Sequence, residues 1–300
     1  MYPLNYIEPV FRPPSEWKSL ILQVTNGCSW NQCTFCDMYT NEDKKFRPKK
    51  IDLIEQEIIS IAKSGLFVGR VFLADGDAMM LPFNRLKEIL VLIKQYLPQV
   101  TRVSSYCLPR NLKNKTVEQL AELNSLGLKL LYVGCETGDD EILSLIEKGE
   151  TFESSLLALT KIKQAGMKSS VMILNGLGGL ELSHHHALNS AKLMTAAQPD
   201  FLSTLVVSFP LGEERFGAKF TQAGKNPYRQ LHQEELFTEM HCLLSTLELE
   251  KTIFRSDHAS NYLVLKGTLG RDKANLLAQV DFALQQPKSA NLRQEWQRGL

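Results

Sequence analysis

The sequence predicts an α/β fold, a partial six-stranded (β/α)6 barrel of the TIM type with a C-terminal α+β appendage. Short apolar segments with β-branched residues alternate with longer segments of helical period. This alternation implies parallel strands joined by right-handed crossovers. Six such repeats fit within about 230 residues, whereas a complete eight-fold barrel needs about 250. An open doubly wound sheet has the same alternation and stays an alternative.

The boundaries of the elements follow from turn and cap residues. Gly65 ends the first helix, Pro82 and Pro98 lie near the two ends of the second, and Thr116 is the N-cap of the third. Strands are predicted at 19–24, 70–75, 101–107, 128–134, 167–176 and 200–209. Helices are predicted at 51–65, 81–98, 116–127, 139–149, 151–166 and 182–198.

The chain is predicted to have three parts. Residues 1–17 form a proline-rich arm, 18–212 the core barrel, and 213–300 an appendage that completes or covers the barrel. In the appendage, 213–230 is polar and irregular, an amphipathic helix is predicted at 232–249, and a further helix is predicted at 272–286.

Composition and charge are those of an ordinary globular protein, with 44% hydrophobic residues and a formal net charge of +1. No nucleic-acid partner is indicated. The basic segment 44–50 is interpreted as a solvated loop rather than a phosphate-binding patch. Because the sequence has neither a long apolar run nor an apolar signal-peptide core, we expect no membrane span and a cytoplasmic location, where thiols stay reduced.

Three cysteines lie close together, Cys28, Cys33 and Cys36, with the spacing C-x4-C-x2-C, just after the first predicted strand. In a reducing compartment this spacing favours a metal or iron–sulfur site over a disulfide. A structural zinc site uses four ligands, but no fourth cysteine is nearby. The remaining cysteines are isolated, without a second CxxC: Cys107, Cys135 and Cys242.

Plant-type ferredoxins have the same local spacing around a 2Fe–2S cluster. Here, however, the next cysteine is Cys107, and the rest of the chain repeats strand and helix. A cluster with three protein thiolates leaves one iron open for a small molecule. The missing fourth ligand is therefore interpreted as a substrate or cosubstrate.

Ligands bind at the carboxyl ends of parallel strands in both candidate architectures. The segments after the later strands are therefore expected to converge on the cysteine loop, and their glycines permit close approach of the backbone to a ligand. These segments are 75–78, 106–110, 135–140, 175–179 and 209–212.

Together with Phe35 before the last cysteine, the motif resembles the radical S-adenosylmethionine (SAM) superfamily over about residues 18 to 212. The first gap is one residue longer than the usual C-x3-C. The resemblance implies a 4Fe–4S cluster whose open iron chelates SAM. Reductive cleavage of SAM then gives a 5′-deoxyadenosyl radical, which abstracts hydrogen from a substrate.

Within the superfamily, the chain looks nearest to general radical SAM oxidoreductases related to oxygen-independent coproporphyrinogen oxidases. The implied partners are an unidentified substrate and a reducing electron donor such as flavodoxin or ferredoxin.

The resemblance also implies SAM-contacting residues. Gly76 and Asp77, with Asp75 adjacent, stand where the family contacts the SAM amino group. Ser104 and Tyr106 share one face of the third strand.

The next two strands add three more implied SAM contacts. Glu136 stands in the family's ribose segment, Lys148 could pair with the SAM carboxylate, and Gly176 lies in the adenine-flanking turn. The alternative for Asp77, Glu136 and Lys148 is that each is a solvated charge at a helix end.

Two further segments carry candidate chemistry. His184, His185 and His186 are interpreted as a solvated helix start rather than a metal site, because consecutive helical residues do not share a face. In 255–267, His258 is the candidate for proton transfer and Lys266 for substrate contact, within a cover over the barrel mouth. The alternative for this segment is a surface strand and turn.

Three function classes follow. The first is a radical SAM enzyme, the second an iron–sulfur electron carrier or redox sensor, and the third a zinc-stabilised binding protein. Metal identity separates the third from the others, and SAM cleavage on reduction separates the first from the second.

Overall fold

A computed structural model describes residues 4–299 and divides them into two compact units. The first unit contains the described residues up to Asn31, with Met38–Val133 and Thr160–Ser169. The second contains Gln32–Asp37, Gly134–Leu159 and the described residues from Ser170 onward. The predicted division at residues 17 and 212 stays a prediction.

The first unit is built on four parallel strands in the order β1-β4-β5-β6. The apolar residues of β1 and β4 are almost fully buried, as expected for parallel strands covered on both faces. Its strands are β1 (Leu20–Gln23), β2 (Thr25–Asn26), β3 (Arg47–Pro48), β4 (Arg70–Ala74), β5 (Arg102–Cys107) and most of β6 (Leu128–Glu136). Its helices are α1 (Ile51–Lys63), α2 (Phe83–Tyr96) and α3 (Val117–Ser125).

The second unit continues the alternation. Its strands have the order β7-β8-β9-β10, with β8 parallel to β7 and β9, and β10 antiparallel to β9. The strands are β7 (Lys168–Asn175), β8 (Phe201–Val206), β9 (Ile253–Ser256) and β10 (Leu265–Thr268). The helices are α4 (Asp140–Leu145), α5 (Phe152–Gln164), which ends in the first unit, α6 (Gly179–Ala197), α7 (Glu214–Gln222), α8 (Gln233–Thr246) and α9 (Lys273–Gln285).

All six predicted strands and the predicted helices are present, with boundaries that differ by a few residues. The expectation of an irregular segment at 213–230 is wrong in part, because α7 lies within it. Phe216 and Phe220 lie one turn apart on that helix and are buried against Tyr228. The many polar residues of α7 mask this two-residue apolar stripe.

The segment 255–267 spans the turn of a β hairpin. β9 pairs with β8 in parallel, and Ser256 stands opposite Leu265 across the β9–β10 pair. The alternative of a strand and turn therefore describes its backbone. None of the helices within residues 4–299 is long and apolar enough to cross a membrane.

Candidate cofactor site

The cysteine loop leaves β1 through a short two-strand ladder in the first unit. β2 pairs antiparallel with β3, and the Asn26 side-chain amide donates to the carbonyl oxygen of Asp43 at 2.6 Å. Gly27 follows with φ of +71°, and a Cβ there would overlap the backbone of Lys44. Only glycine fits this approach, so the ladder fixes the chain immediately before Cys28.

Lys44 corrects the interpretation of 44–50 as a solvated loop. Its side chain is fully buried, and its Nζ lies 2.7 Å from Asp75 Oδ2 and also donates to the Ile7 carbonyl. The other carboxylate oxygen of Asp75 accepts from the Tyr39 hydroxyl at 2.9 Å. Lys45 and Arg47 are exposed as expected. The basic composition of a segment does not reveal which one of its lysines pairs with a buried carboxylate.

The turn after β4 places Asp77 beside the cysteine loop. Gly76 has φ of +64°, and a Cβ there would overlap the Gly27 carbonyl. Asp77 is 1% exposed, and its Oδ2 accepts from the backbone N–H and the hydroxyl of Ser29. Burial raises the pKa of Asp77, and hydrogen bonding from Ser29 and from the neighbouring Asn111 amide lowers it by less. Asp77 is therefore not a solvated helix-end charge.

Two buried oxygens near this turn and in β5 have no hydrogen-bond partner within residues 4–299, Asp77 Oδ1 and Ser104 Oγ. Buried polar atoms are normally satisfied, so each marks a place where a bound group could supply the missing partner. Ser104 is fully buried, and Tyr106 on the same face packs edge-on against Phe72. Burial also raises the pKa of Tyr106, which keeps the phenol neutral.

The longer first gap of the motif contains Trp30. The Arg110 guanidinium lies 3.7 Å from the centre of the Trp30 ring, a cation–π contact within the first unit. Asn31 has a left-handed backbone, and its side-chain amide donates to the Tyr39 carbonyl at 2.9 Å. These contacts of Trp30 and Asn31 were not predicted from the sequence, although a tryptophan inside a metal-binding loop was a signal for them.

In the second unit, Cys33 and Cys36 lie in a turn in which the Cys36 N–H donates to the Cys33 carbonyl at 3.3 Å. That carbonyl also accepts from Arg215 of α7. Phe35 packs against the apolar cluster around Phe216, so the family's aromatic position anchors the turn. None of the six cysteines is paired in a disulfide.

Glu136 and Lys148 form a buried ion pair with 2.8 Å between Nζ and Oε1. Glu136 has φ of +66°, an uncommon backbone for a non-glycine residue. Burial lowers the pKa of Lys148, but the charges of Glu136 and Cys33 outweigh it, so the pKa is raised and the ammonium is retained. Lys148 Nζ also lies 5.6 Å from the Phe35 ring centre. Neither residue is a solvated helix-end charge.

The turn after β7 is held from two sides at Gly176. The Gly176 N–H donates to Glu239 Oε1 at 2.7 Å, and its carbonyl accepts from the Tyr228 hydroxyl at 3.2 Å. Glu239 is 3% exposed, and burial raises its pKa to about 7. Neither Glu239 nor Tyr228 was identified from the sequence, because they lie 63 and 52 residues from Gly176 in the chain.

The interpretation of the three histidines as a solvated helix start is wrong for His186. His184 and His185 are exposed, whereas His186 is 1% exposed and its Nδ1 lies 2.8 Å from Thr137 Oγ1. Burial lowers the pKa of His186 to about 4, so the ring is neutral near pH 7. The helix starts at Gly179, so all three histidines lie within it, and three consecutive helical positions point in different directions.

His258 and Lys266 lie near the turn of the β9–β10 hairpin. His258 Nδ1 lies 2.9 Å from Ser260 Oγ, and burial lowers the pKa of His258. Lys266 is half-exposed and its Nζ lies 3.0 Å from Asp257 Oδ2. Their catalytic roles stay predictions.

Within residues 4–299, no three His, Cys, Asp or Glu side chains are grouped as around one metal ion. The residues nevertheless fit the expected cofactors in three respects. The motif thiols are not in disulfides, two buried oxygens lack hydrogen-bond partners, and a buried lysine keeps its charge.

A family model, described as the Radical SAM superfamily, matches residues 22–191, more than half of the chain. The chain therefore belongs to the radical SAM superfamily, and the resemblance stated from the cysteine motif is confirmed. The cofactors of this superfamily are a 4Fe–4S cluster and SAM.

Among curated proteins, the chain is similar to the "Heme chaperone HemW" of Bacillus subtilis, at 25% identity over 183 residues. That match covers 58% of this chain and 47% of the relative. A HemW of Buchnera aphidicola is 21% identical over 49% of this chain and 40% of its own length. The chain thus spans about half the length of these relatives or less.

Among solved structures, the chain is similar to coproporphyrinogen III oxidase (HemN) of Escherichia coli, described as a radical SAM enzyme. The TM-score is 0.55 at 17% identity, over 76% of this chain and 52% of HemN. The methyltransferase TsrM of Kitasatospora setae was solved with cobalamin and a [4Fe-4S] cluster. Its TM-score to this chain is 0.50 at 20% identity, over 62% of this chain and 36% of TsrM. These likenesses show the fold, so the predicted α/β class of partial barrel is confirmed.

Proposed function

We propose that the protein is a radical SAM enzyme that uses a 4Fe–4S cluster to cleave SAM reductively and to abstract hydrogen from a substrate. The observation that carries the proposal is the C-x4-C-x2-C motif, in a loop fixed by the Gly27 turn, in a chain of this superfamily. We also propose a cytoplasmic location, which suits reduced thiols and an electron donor such as flavodoxin or ferredoxin.

The cluster would be held by the thiolates of Cys28, Cys33 and Cys36, with one iron left for the amino and carboxylate groups of SAM. When bound, these cofactors supply an electron and a 5′-deoxyadenosyl radical. The protein supplies orientation and exclusion of water. Phe35 anchors the turn between the last two cysteines on the apolar cluster around Phe216.

The remaining predicted contacts are assigned to SAM by chemistry. Asp77 is proposed to accept from the SAM amino group through its unpartnered Oδ1. Lys148 is proposed to face the SAM carboxylate and Glu136 the ribose hydroxyls. Gly176, whose N–H and carbonyl are already engaged, is proposed to let the adenine approach closely. Ser104 Oγ, also unpartnered, is the proposed contact on β5.

Two further predicted contacts are given supporting roles. Both carboxylate oxygens of Asp75 are engaged by Lys44 and Tyr39, so we propose that Asp75 shapes the loop and does not touch SAM. Tyr106 is proposed to remain neutral and to pack against Phe72 without a hydrogen bond to SAM. His258 and Lys266 stay proposed substrate-side residues with substitution as their test.

The second candidate function is an iron–sulfur electron carrier or redox sensor. It shares the cluster but not the SAM contacts. The unpartnered oxygens of Asp77 and Ser104 favour the enzyme, because polar groups of SAM would supply partners for them.

The test uses anaerobically reconstituted protein, with iron and sulfide analysis followed by dithionite reduction in the presence of SAM. We expect four irons per chain and formation of 5′-deoxyadenosine. Cys33→Ala should lose the cluster and the product, whereas Cys242→Ala, a half-buried cysteine outside the motif, should keep both. A cluster without 5′-deoxyadenosine would favour the electron carrier, and full cluster content in Cys33→Ala would refute the ligand assignment.

A further inference from the structure

A cavity of about 440 Å³ lies in the second unit beside the Gly176 turn. This volume suits a small organic ligand. One part of its lining is apolar or aromatic, formed by Val206, Val207, Tyr228, Leu231, Leu236 and Tyr262. None of these residues was singled out as a cofactor contact by the sequence.

Two arginines line the same cavity, and each is held in place by partners. Arg298 stacks on the Tyr262 ring at 3.8 Å, and its Nε donates to the Ser260 carbonyl at 2.8 Å. Arg229 binds both carboxylate oxygens of Glu235, at 2.8 and 2.7 Å. Held guanidinium groups lose little further conformational entropy when they bind a ligand.

Each arginine keeps donors to spare. A guanidinium carries five N–H groups. Arg298 uses one at Nε and one toward Glu295, and Arg229 uses three, toward Gln230 and Glu235. The others have no hydrogen-bond partner in the part of the chain described. Paired N–H groups of this kind match a carboxylate.

The acidic side chains of the lining are already engaged. Glu295 accepts from Arg298 and from the Tyr262 hydroxyl, each at 2.7 Å, and Glu213 accepts from Gln230 at 3.2 Å. His232 and Gln233 at the amino end of α8 also line the cavity, and a helix amino end favours a negative charge. Unused guanidinium N–H groups therefore remain in the lining beside carboxylates that already accept hydrogen bonds.

We propose that this cavity is the substrate site and that it takes a small molecule with an apolar or aromatic body and a carboxylate, bound by Arg229 and Arg298. The inference rests on the proposed function, because the Gly176 turn that borders the cavity is the proposed adenine contact. The apolar wall holds the body of the molecule, and the arginines fix its acidic end. The C-terminal residues near Arg298 thereby take part in substrate recognition.

The test measures binding of 2-naphthoate and of its neutral twin 2-naphthamide to the cluster-loaded full chain by titration calorimetry. We expect the acid to bind about tenfold or more tightly than the amide, as for a charge-assisted hydrogen bond. Arg229→Gln and Arg298→Gln should each remove about that factor for the acid and leave the amide unchanged. Arg271→Gln is the matched control, since Arg271 pairs with Asp272 outside the cavity.

Equal affinity for acid and amide, no binding of the acid, or unchanged binding in both cavity variants would overturn the proposal. Thermal melting checks that the variants fold, and Arg229→Gln is the safer one because Arg229 is partly exposed. A substrate site must be occupied together with SAM, so competition between 2-naphthoate and SAM also overturns it. Absence of SAM cleavage with acid binding intact would instead refute the proposed enzyme and leave an acid-binding cavity.

Discussion

Lys44 Nζ lies 2.7 Å from Asp75 Oδ2, and both side chains are fully buried. This ion pair joins the segment that follows the cysteine loop to the end of β4. The Tyr39 hydroxyl also donates to Asp75, and Lys44 also donates to the Ile7 carbonyl. The charges hold the base of the cysteine loop in one conformation.

Asp75→Leu and Lys44→Met should each destabilise the protein by about 3–5 kcal/mol, because the remaining charge is buried without a partner. The double variant should recover a large part of that loss, since no charge is then left in the core. Urea unfolding of the four proteins measures the free energies. Additive losses in the double variant would contradict the pairing.

Asp77→Asn should weaken SAM binding about tenfold or more while the cluster spectrum is kept, because a carboxylate that accepts from an ammonium contributes about 1.5–3 kcal/mol. Equilibrium binding of SAM to the cluster-loaded protein measures this. Asp281→Asn, at an exposed aspartate that pairs with His241, is the control. Unchanged affinity in Asp77→Asn would remove Asp77 from the SAM site.

Lys148→Met should lower both stability and SAM affinity, since it leaves Glu136 buried without its partner and removes the proposed carboxylate contact. Lys219→Met is the matched control. Lys219 Nζ lies at the same distance, 2.8 Å, from Glu147, but that pair is partly exposed and should matter little to either property. If the two variants behave alike, the buried pair has no special role.

Glu239 and His186 should give opposite pH dependences of stability. The pKa of Glu239 is raised from 4.5 to about 7, mainly by burial, so its contribution is present below pH 4.5 and is lost as pH rises through 7. The pKa of His186 is lowered from 6.5 to about 4, so its contribution is present above pH 6.5 and is lost as pH falls through 4. In the native protein the two largely cancel between pH 5 and 6.5.

Each substitution should reveal the pH dependence of stability that the other group causes. Relative to wild type, Glu239→Gln should gain stability as pH rises from 5 to 7.5, by on the order of 3 kcal/mol. His186→Gln should gain relative to wild type as pH falls over the same range. Urea unfolding across the range measures both, and curves parallel to wild type would contradict the assigned causes. The ionisable neighbours of Glu239 are Tyr228, Cys242 and His186, whose Nε2 lies 4.0 Å from Glu239 Oε1. Burial raises the pKa of Tyr228 and Cys242, so both stay neutral there, whereas His186 and Glu239 influence each other's titration.

The cysteine motif and the order of strands and helices could be predicted because both are local in sequence. Three thiols within nine residues can be recognised without knowledge of the fold. The spacing of apolar residues, with Gly and Pro at the ends of a segment, is enough to locate a helix or strand. The sequence could not show whether Asp77, Glu136 and Lys148 are buried or exposed, because a linear pattern does not reveal which partner a charged residue has.

The sequence by itself determined the α/β class, the superfamily and the cysteines of the motif. Only the tertiary structure decided that Lys44 is buried, that His186 faces inward, and that Arg298 borders the same cavity as Gly176. Lys44 and Asp75 are 31 residues apart, and Gly176 and Glu239 are 63 apart. Which residues meet at such separations depends on how the strands and helices pack. The local sequence pattern predicts the order of these elements but not their contacts.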